Sequence, residues 1–322
     1  MVERPCTALT TLANDIATRS ICSDDRKSAF ESKVVTKTED EKIAWARETA
    51  RLVAQSGHHF VVFPMETAQI LLRRAQEVTM ADGIVVGGVK HSLKHPVTGH
   101  PIPVFGPKDT GIEFKIGTGH NKRRTEPITG GVIHYTGSEN AVETMFSVLN
   151  NRELGVEFAI SALGSLFQFC DPLIVDTADA GAANKMTWGV EIVNQGIRKI
   201  LDPRKWGVPR AQKKKGIDLG PRPMYETTIH GRRQKMWGFY PQQVATMCAL
   251  NEVMVRALPK YGDGVCTEPN VIDFKNFHGA MGHYNITERK IDPGTLPMEQ
   301  LAHFMKTGKI PFELERELMA VS

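Results

Sequence analysis

Apolar positions recur at helical spacing twice in the first quarter of the chain. Thr38-Glu39-Asp40-Glu41 has capping-box form and leads into Ile43, Ala46, Ala50 and Val53, which predicts a helix over about 39–56. A short apolar run from Phe60 to Phe63 ends at Pro64, and a second amphipathic pattern follows through Ala68, Leu71, Ala75 and Val78. The next stretch, GIVVGGVKHSLKHPVTGHPIPVFG, is rich in Gly and Pro and predicts short strands and turns. At Gly130 the texture changes to GGVIHYTG, a β-branched strand closed by a glycine turn. Asn140 and Glu143 can cap a helix whose apolar face is Val142, Met145, Phe146 and Leu149. Val156 to Ile160 and Leu166 to Phe169 flank Gly164-Ser165 as a hairpin, and Gly189 to Val193 reads as a further strand. Pro241 opens a long helix through Val244, Met247, Cys248, Val255 and Leu258, after which GAMGHYNITERKIDPG carries only loop signals.

Strands alternating with helices predict an α/β unit around one mixed central β-sheet flanked by helices. We expect it over 121–322, behind an N-terminal α+β region of unassigned role over 1–120. At 322 residues, 41% hydrophobic and 24% charged, the chain can bury a sizeable core. No stretch reaches the roughly 20 apolar residues of a membrane span, and MVERPCTALTTLANDIATRS lacks the apolar core of a secretory signal. The expectation is synthesis in the cytoplasm, with any export by a non-Sec route. Cys6, Cys22, Cys170, Cys248 and Cys266 are odd in number and follow no CxxC spacing, so they read as buried thiols.

The net charge of +4 is unevenly spread. Arg198 to Lys235 holds twelve Lys or Arg against Asp202, Asp218 and Glu226, within a basic insertion at about 197–238. A solvated loop and a patch for an anionic polymer are both open readings. Nucleic acid is the less favoured polymer, because only Trp206, Tyr225 and Trp237 are available for stacking.

A catalytic zinc commonly has three protein ligands and one open position, so convergent His and acidic residues are the signal to seek. His134 lies within a predicted strand; alone it reads as a satisfied core residue. His283 and Asp292 share one polar segment with Arg289 and Lys290. Scattered His58, His59, His91, His95 and His100 lack acidic partners and read as surface residues.

The fragments VIHYTGSE, WGVEIVNQG and GHYNITERKIDPG, in this order, resemble the N-acetylmuramoyl-L-alanine amidase family. That is the type-2 amidase fold shared with peptidoglycan recognition proteins and amidase-type phage lysozymes. The resemblance spans about 129–296. It implies one Zn2+ held by His134, His283 and Asp292, with Glu191 as catalytic carboxylate and Lys290, two residues before the ligand Asp, as a catalytic cation. It also implies peptidoglycan or muropeptide as substrate and cleavage of the amide between N-acetylmuramic acid and L-alanine, in a phage-type or effector lysin released to the wall by a holin, a virion or another non-Sec route. Anionic wall polymers on the basic insertion are a further candidate partner. DAGAANKMTWGVE resembles the HAG…N element of the family, with Asp179 in place of its usual His. Asp179 and Asn184 of this element, with Tyr135 beside the ligand His134, are the candidate substrate contacts. The competing readings are a non-catalytic muropeptide-binding protein of the same fold, and a zinc peptidase or amidase acting on another amide.

Overall fold

The run Gly130–Tyr135, Gly-Gly-Val-Ile-His-Tyr, is buried on both faces, as a central parallel strand must be. In the computed structural model, which describes residues 83–117, 120–138, 142–197, 219 and 222–321, it lies in the middle of a seven-stranded sheet. The expected helix over 39–56, the amphipathic pattern over 68–78, the Asn140 cap, Cys6, Cys22, His58 and His59 lie outside the described residues.

In chain order the strands are β1 (Ile84–Val86), β2 (Val89–His91), β3 (Val104–Phe105), β4 (Lys122–Arg123), β5 (Gly130–Tyr135), β6 (Phe158–Ile160) and β7 (Leu166–Gln168). They continue as β8 (Val175–Asp176), β9 (Thr187–Ile192), β10 (Met224–Ile229), β11 (Arg232–Trp237), β12 (Gly264–Val265) and β13 (Gly279–Gly282). The main sheet has the order β12-β13-β5-β9-β6-β7-β3. Its pairs are parallel except β6 with β7, so the sheet is mixed, as expected. The β6–β7 hairpin turns where the sequence places it. Gly164 there has φ +79°, and a Cβ on it would stand 2.8 Å from the Gln242 carbonyl, so only glycine fits both demands.

Helices cover both faces. On one side α1 (Val142–Asn151) buries Val142, Met145, Phe146 and Leu149 against Phe114, Val156, Ala159 and Phe169. On the other, α2 (Pro241–Ala257) packs with α3 (Met298–Thr307) and α4 (Phe312–Val321) over Ile133, Phe158, Val190 and Ile192. Pro241 sits in the first turn of α2, and Gln243 Oε1 accepts the Tyr240 N–H at 3.1 Å to close that end. Among the described residues, no helix is long and apolar enough to cross a membrane.

Three features depart from the sequence reading. Gly279–Gly282 is a strand, β13, rather than part of a loop. Its glycines leave no room for a side chain: a Cβ on Gly279 would overlap the Gly264 carbonyl of β12. Within the basic segment, β10 and β11 form an antiparallel ribbon turned by His230-Gly231, both at positive φ (51° and 72°), the geometry of a type I′ turn. Finally, Ile84, Val86, Leu93, Ile102 and Val104 belong to the same hydrophobic core as β5 and β9, and β3 is an edge strand of the main sheet. The residues described before 120 thus pack with those after it. Cys170, Cys248 and Cys266 are buried free thiols.

Candidate active site

The register of three parallel strands sets the site. Gly282 of β13 pairs with Ile133 of β5, and His134 pairs with Glu191 of β9. His283 is the residue after Gly282, so His283, His134 and Glu191 form one row at the carboxyl ends of adjacent strands. That is where open α/β sheets place their ligands. Two hydrogen-bond sets hold His283 in the row. Asn285 Oδ1 accepts the Gly282 N–H at 2.8 Å, and Asn285 Nδ2 donates to the carbonyls of Glu268 and Asn270, each at 2.7 Å. The Tyr284 N–H bonds the Asp292 carbonyl at 3.0 Å and draws the following loop back over the strand ends.

Asp292 Oδ2 lies 3.0 Å from His134 Nδ1 and 3.0 Å from His283 Nδ1, and the two rings meet edge to face with centroids 4.5 Å apart. These three side chains are the one group among the described residues whose donor atoms could hold a metal ion. The set fits zinc: a tetrahedral ion with bonds of about 2.0–2.1 Å separates its ligands by about 3.3 Å, close to the spacing found. Two carboxylates around one imidazole also call for a positive charge, since Asp179 Oδ2 lies 3.1 Å from His134 Nε2 on the other side of the ring. Burial opposes charge on His134, yet the Asp179 and Asp292 carboxylates outweigh it and lift its pKa to about 10. Burial likewise disfavours the Asp292 anion, but the two imidazoles hold its carboxyl well below the usual range. His283 is pushed down by its own burial and by the neighbouring His134.

Glu191 faces the same cleft. Its Oε2 is buried and has no hydrogen-bond partner, and desolvation pushes the carboxyl up to about 7, with Asp292 and Asp179 adding and His134 opposing. An unpartnered buried carboxylate oxygen beside three convergent donor side chains marks a candidate functional group. The cleft, about 380 Å³, is lined by all four residues together with Asp179, Lys290, Arg289 and Arg152. Lys290 is exposed at its edge, and no ion pair links its ammonium to Asp292; its carbonyl instead bonds His230 Nε2 at 3.0 Å.

The sequence-predicted residues thus divide. His134, His283, Asp292 and Glu191 come together, and Lys290 and Asp179 line the same cleft. Tyr135 points to the opposite face from His134 and also borders the cleft; its ring packs against Gly196, Gly294 and Met236. Asn184 is not on the cleft: its Oδ1 accepts the Ala180 N–H at 2.7 Å and braces the turn after Asp179.

Solved structures with a similar fold are amidases, recognition proteins and endolysins. The N-acetylmuramoyl-L-alanine amidase LysC from Clostridium intestinale URNW is 11% identical, with a TM-score of 0.36 over 61% of this chain and 96% of its own. Drosophila peptidoglycan recognition protein SD is 13% identical, at 0.36 over 61% and 90%. The Ph2119 endolysin from Thermus scotoductus MAT2119 bacteriophage Ph2119 is 13% identical, at 0.37 over 62% and 97%. No family model matches the chain, and no curated protein matches it.

Sequence reasoning missed the bracing behind the site. Arg124 and Glu157 form a buried pair at 3.0 Å, and Glu157 Oε2 accepts from Thr177 Oγ1 at 2.8 Å and from the Gly189 N–H at 2.7 Å. This ties β9 to the loop that carries Asp179. The signal available was an acidic residue inside the otherwise apolar strand run Val156 to Ile160.

Proposed function

We propose that the chain is a zinc-dependent peptidoglycan hydrolase that cleaves the amide between N-acetylmuramic acid and L-alanine. The observation that carries this reading is the convergence of His134, His283 and Asp292 on one point, with the unpartnered Glu191 carboxylate in the same row. The motif resemblance supports the choice of bond. His134 and His283 offer Nδ1 and Asp292 offers Oδ2 to the ion. When bound, zinc supplies the Lewis acidity that acidifies water and polarises a carbonyl.

The remaining steps belong to the protein. Glu191 takes the proton of the attacking water and returns it to the L-alanine nitrogen as the C–N bond breaks; without that return the amine leaves poorly. A pKa near 7 suits both directions of transfer. Lys290, which lines the cleft, supplies an ammonium to stabilise negative charge on the lactyl carbonyl oxygen. The basic segment at 197–238 belongs to the same proposal as an attraction for anionic wall polymers. In its described part, Arg233 and Lys235 pair with Glu226, which leaves Arg232 without an ion pair among the described residues.

The test uses soluble N-acetylmuramoyl-L-alanyl-D-isoglutamine. The protein binds one zinc per chain and releases L-alanyl-D-isoglutamine, whereas Asp292→Ala does neither. Stoichiometric zinc with no product would refute the activity and leave the metal site; turnover unaffected by Asp292→Ala would refute both.

A further inference from the structure

The carboxylate of Asp179 sits where the sequence reading expected a substrate contact, yet it is turned inward. Its side chain is 4% exposed, as is that of His134, and its Oδ2 lies 3.1 Å from His134 Nε2. That nitrogen is on the far side of the ring from Nδ1, which faces His283 and Asp292. A donor on that far side is outside the group that could hold the ion. We propose that Asp179 is a positioning residue for the metal centre: it accepts the Nε2–H of His134, fixes that tautomer and ring orientation, and so leaves the Nδ1 lone pair aimed at the ion.

A neutral imidazole carries one N–H, and the side that donates decides which side can ligate. Pairing Nε2–H with a buried carboxylate settles the choice for Nδ1 and makes the ring a stronger donor. The surrounding chain is shaped to hold Asp179 there. Ahead of it, Thr177 Oγ1 bonds Glu157 Oε2 at 2.8 Å, and after it the Ala180 N–H bonds Asn184 Oδ1 at 2.7 Å. Beneath it, Gly189 of β9 leaves the space the carboxylate occupies: a Cβ there would overlap Asp179 Oδ2. The Gly189 in GVE, two residues before Glu191, is thus accounted for by the acid above it.

This inference rests on the metal reading of the site, and its test separates the two. Zinc affinity of the full chain is measured by competition with a chromophoric chelator, and the visible spectrum of the cobalt-loaded protein reports ligand geometry. Asp179→Ala is expected to weaken zinc binding by roughly 10–100-fold and to alter the cobalt spectrum, the usual scale for losing an outer partner of a ligand histidine. Asp179→Asn keeps an acceptor oxygen and restores most of the affinity. Gly189→Ala, which touches no ligand, displaces the carboxylate and reproduces the loss. A merely structural Asp179 would lower the melting temperature while leaving the cobalt spectrum of the folded protein unchanged. That spectrum, with zinc affinity within twofold of the parent in Asp179→Ala, would overturn the inference. If the parent itself fails to bind zinc or cobalt stoichiometrically, the metal reading falls and the inference with it.

Discussion

Replacing Arg124 with Met removes the cation at the centre of the bracing behind the site while keeping most of its volume. Arg124 Nη2 donates to Glu157 Oε1 at 3.0 Å, Thr187 O at 2.8 Å and Val175 O at 3.2 Å. Nη1 reaches Lys185 O at 2.9 Å and Asn184 O at 3.2 Å, and Nε bonds the Pro172 carbonyl. Arg124 and Glu157 are 2% and 0% exposed, so neither is relieved by water when the other is lost. Breaking such a buried pair costs about 3–5 kcal/mol. The pH dependence follows from Glu157. Burial raises its carboxyl to about 7 against the pull of Arg124, and without Arg124 it rises further. A carboxyl whose folded pKa exceeds its unfolded value adds stability while protonated and loses it as pH climbs through the folded pKa. Below about pH 7 it is protonated in both proteins, so the deficit there is that of the lost carbonyl bonds, about 3 kcal/mol in sum. Above pH 7 the parent has ionised and the variant has not, so the gap widens by about 1.4 kcal/mol per pH unit until the variant's own pKa is reached. Urea unfolding followed by tryptophan fluorescence reads this out, since Trp188 and Trp237 are buried. A deficit under about 1 kcal/mol at pH 6, or one that shrinks above pH 7, would refute the reasoning.

Further expectations follow from the site and the sheet. Glu191→Gln keeps shape and zinc content but removes the proton carrier, so turnover should fall by about 10²–10⁴-fold; near-parental turnover of the zinc-loaded variant would contradict the assigned role. A chelator should lower the melting temperature of the parent but not that of Asp292→Ala, because only the parent loses a bound ion on treatment; equal shifts in both would place the metal elsewhere. Gly131→Ala drives a Cβ into the Trp188 indole, whose carbons would stand 2.5–2.6 Å away, so it should cost about 1–3 kcal/mol in the same unfolding assay. A neutral effect would mean that the core around Trp188 yields freely.

Much of the site was legible because its residues sit in strands with strong local signals. His134 and Glu191 lie in β-branched runs whose assignment as strands needed no tertiary information, and α2 announced itself through Pro241 and its apolar spacing. His283 was legible as a residue but not as a strand-end residue. β13 is Gly-Ala-Met-Gly, and its strand character comes from the close approach of β12 and β5 rather than from propensity. Asp179 is marked by motif as a candidate substrate contact, and only the fold shows its carboxylate over Gly189 and against His134. Arg124 and Glu157 are 33 residues apart, and nothing local to either marks the pairing. The sequence reading assigns no helix at α3 or α4, although Met298, Leu301, Phe304, Leu314 and Leu318 supply the buried face that covers the sheet.

Mass spectrometry of the products from intact peptidoglycan tests the central claim most directly, with parallel samples treated with a chelator and then reloaded with zinc. The account predicts stem peptides with free L-alanine amino ends, absent after chelation and restored by zinc. Unchanged peptidoglycan in the zinc-loaded sample, or fragments cut at a glycosidic or peptide bond instead, would contradict it.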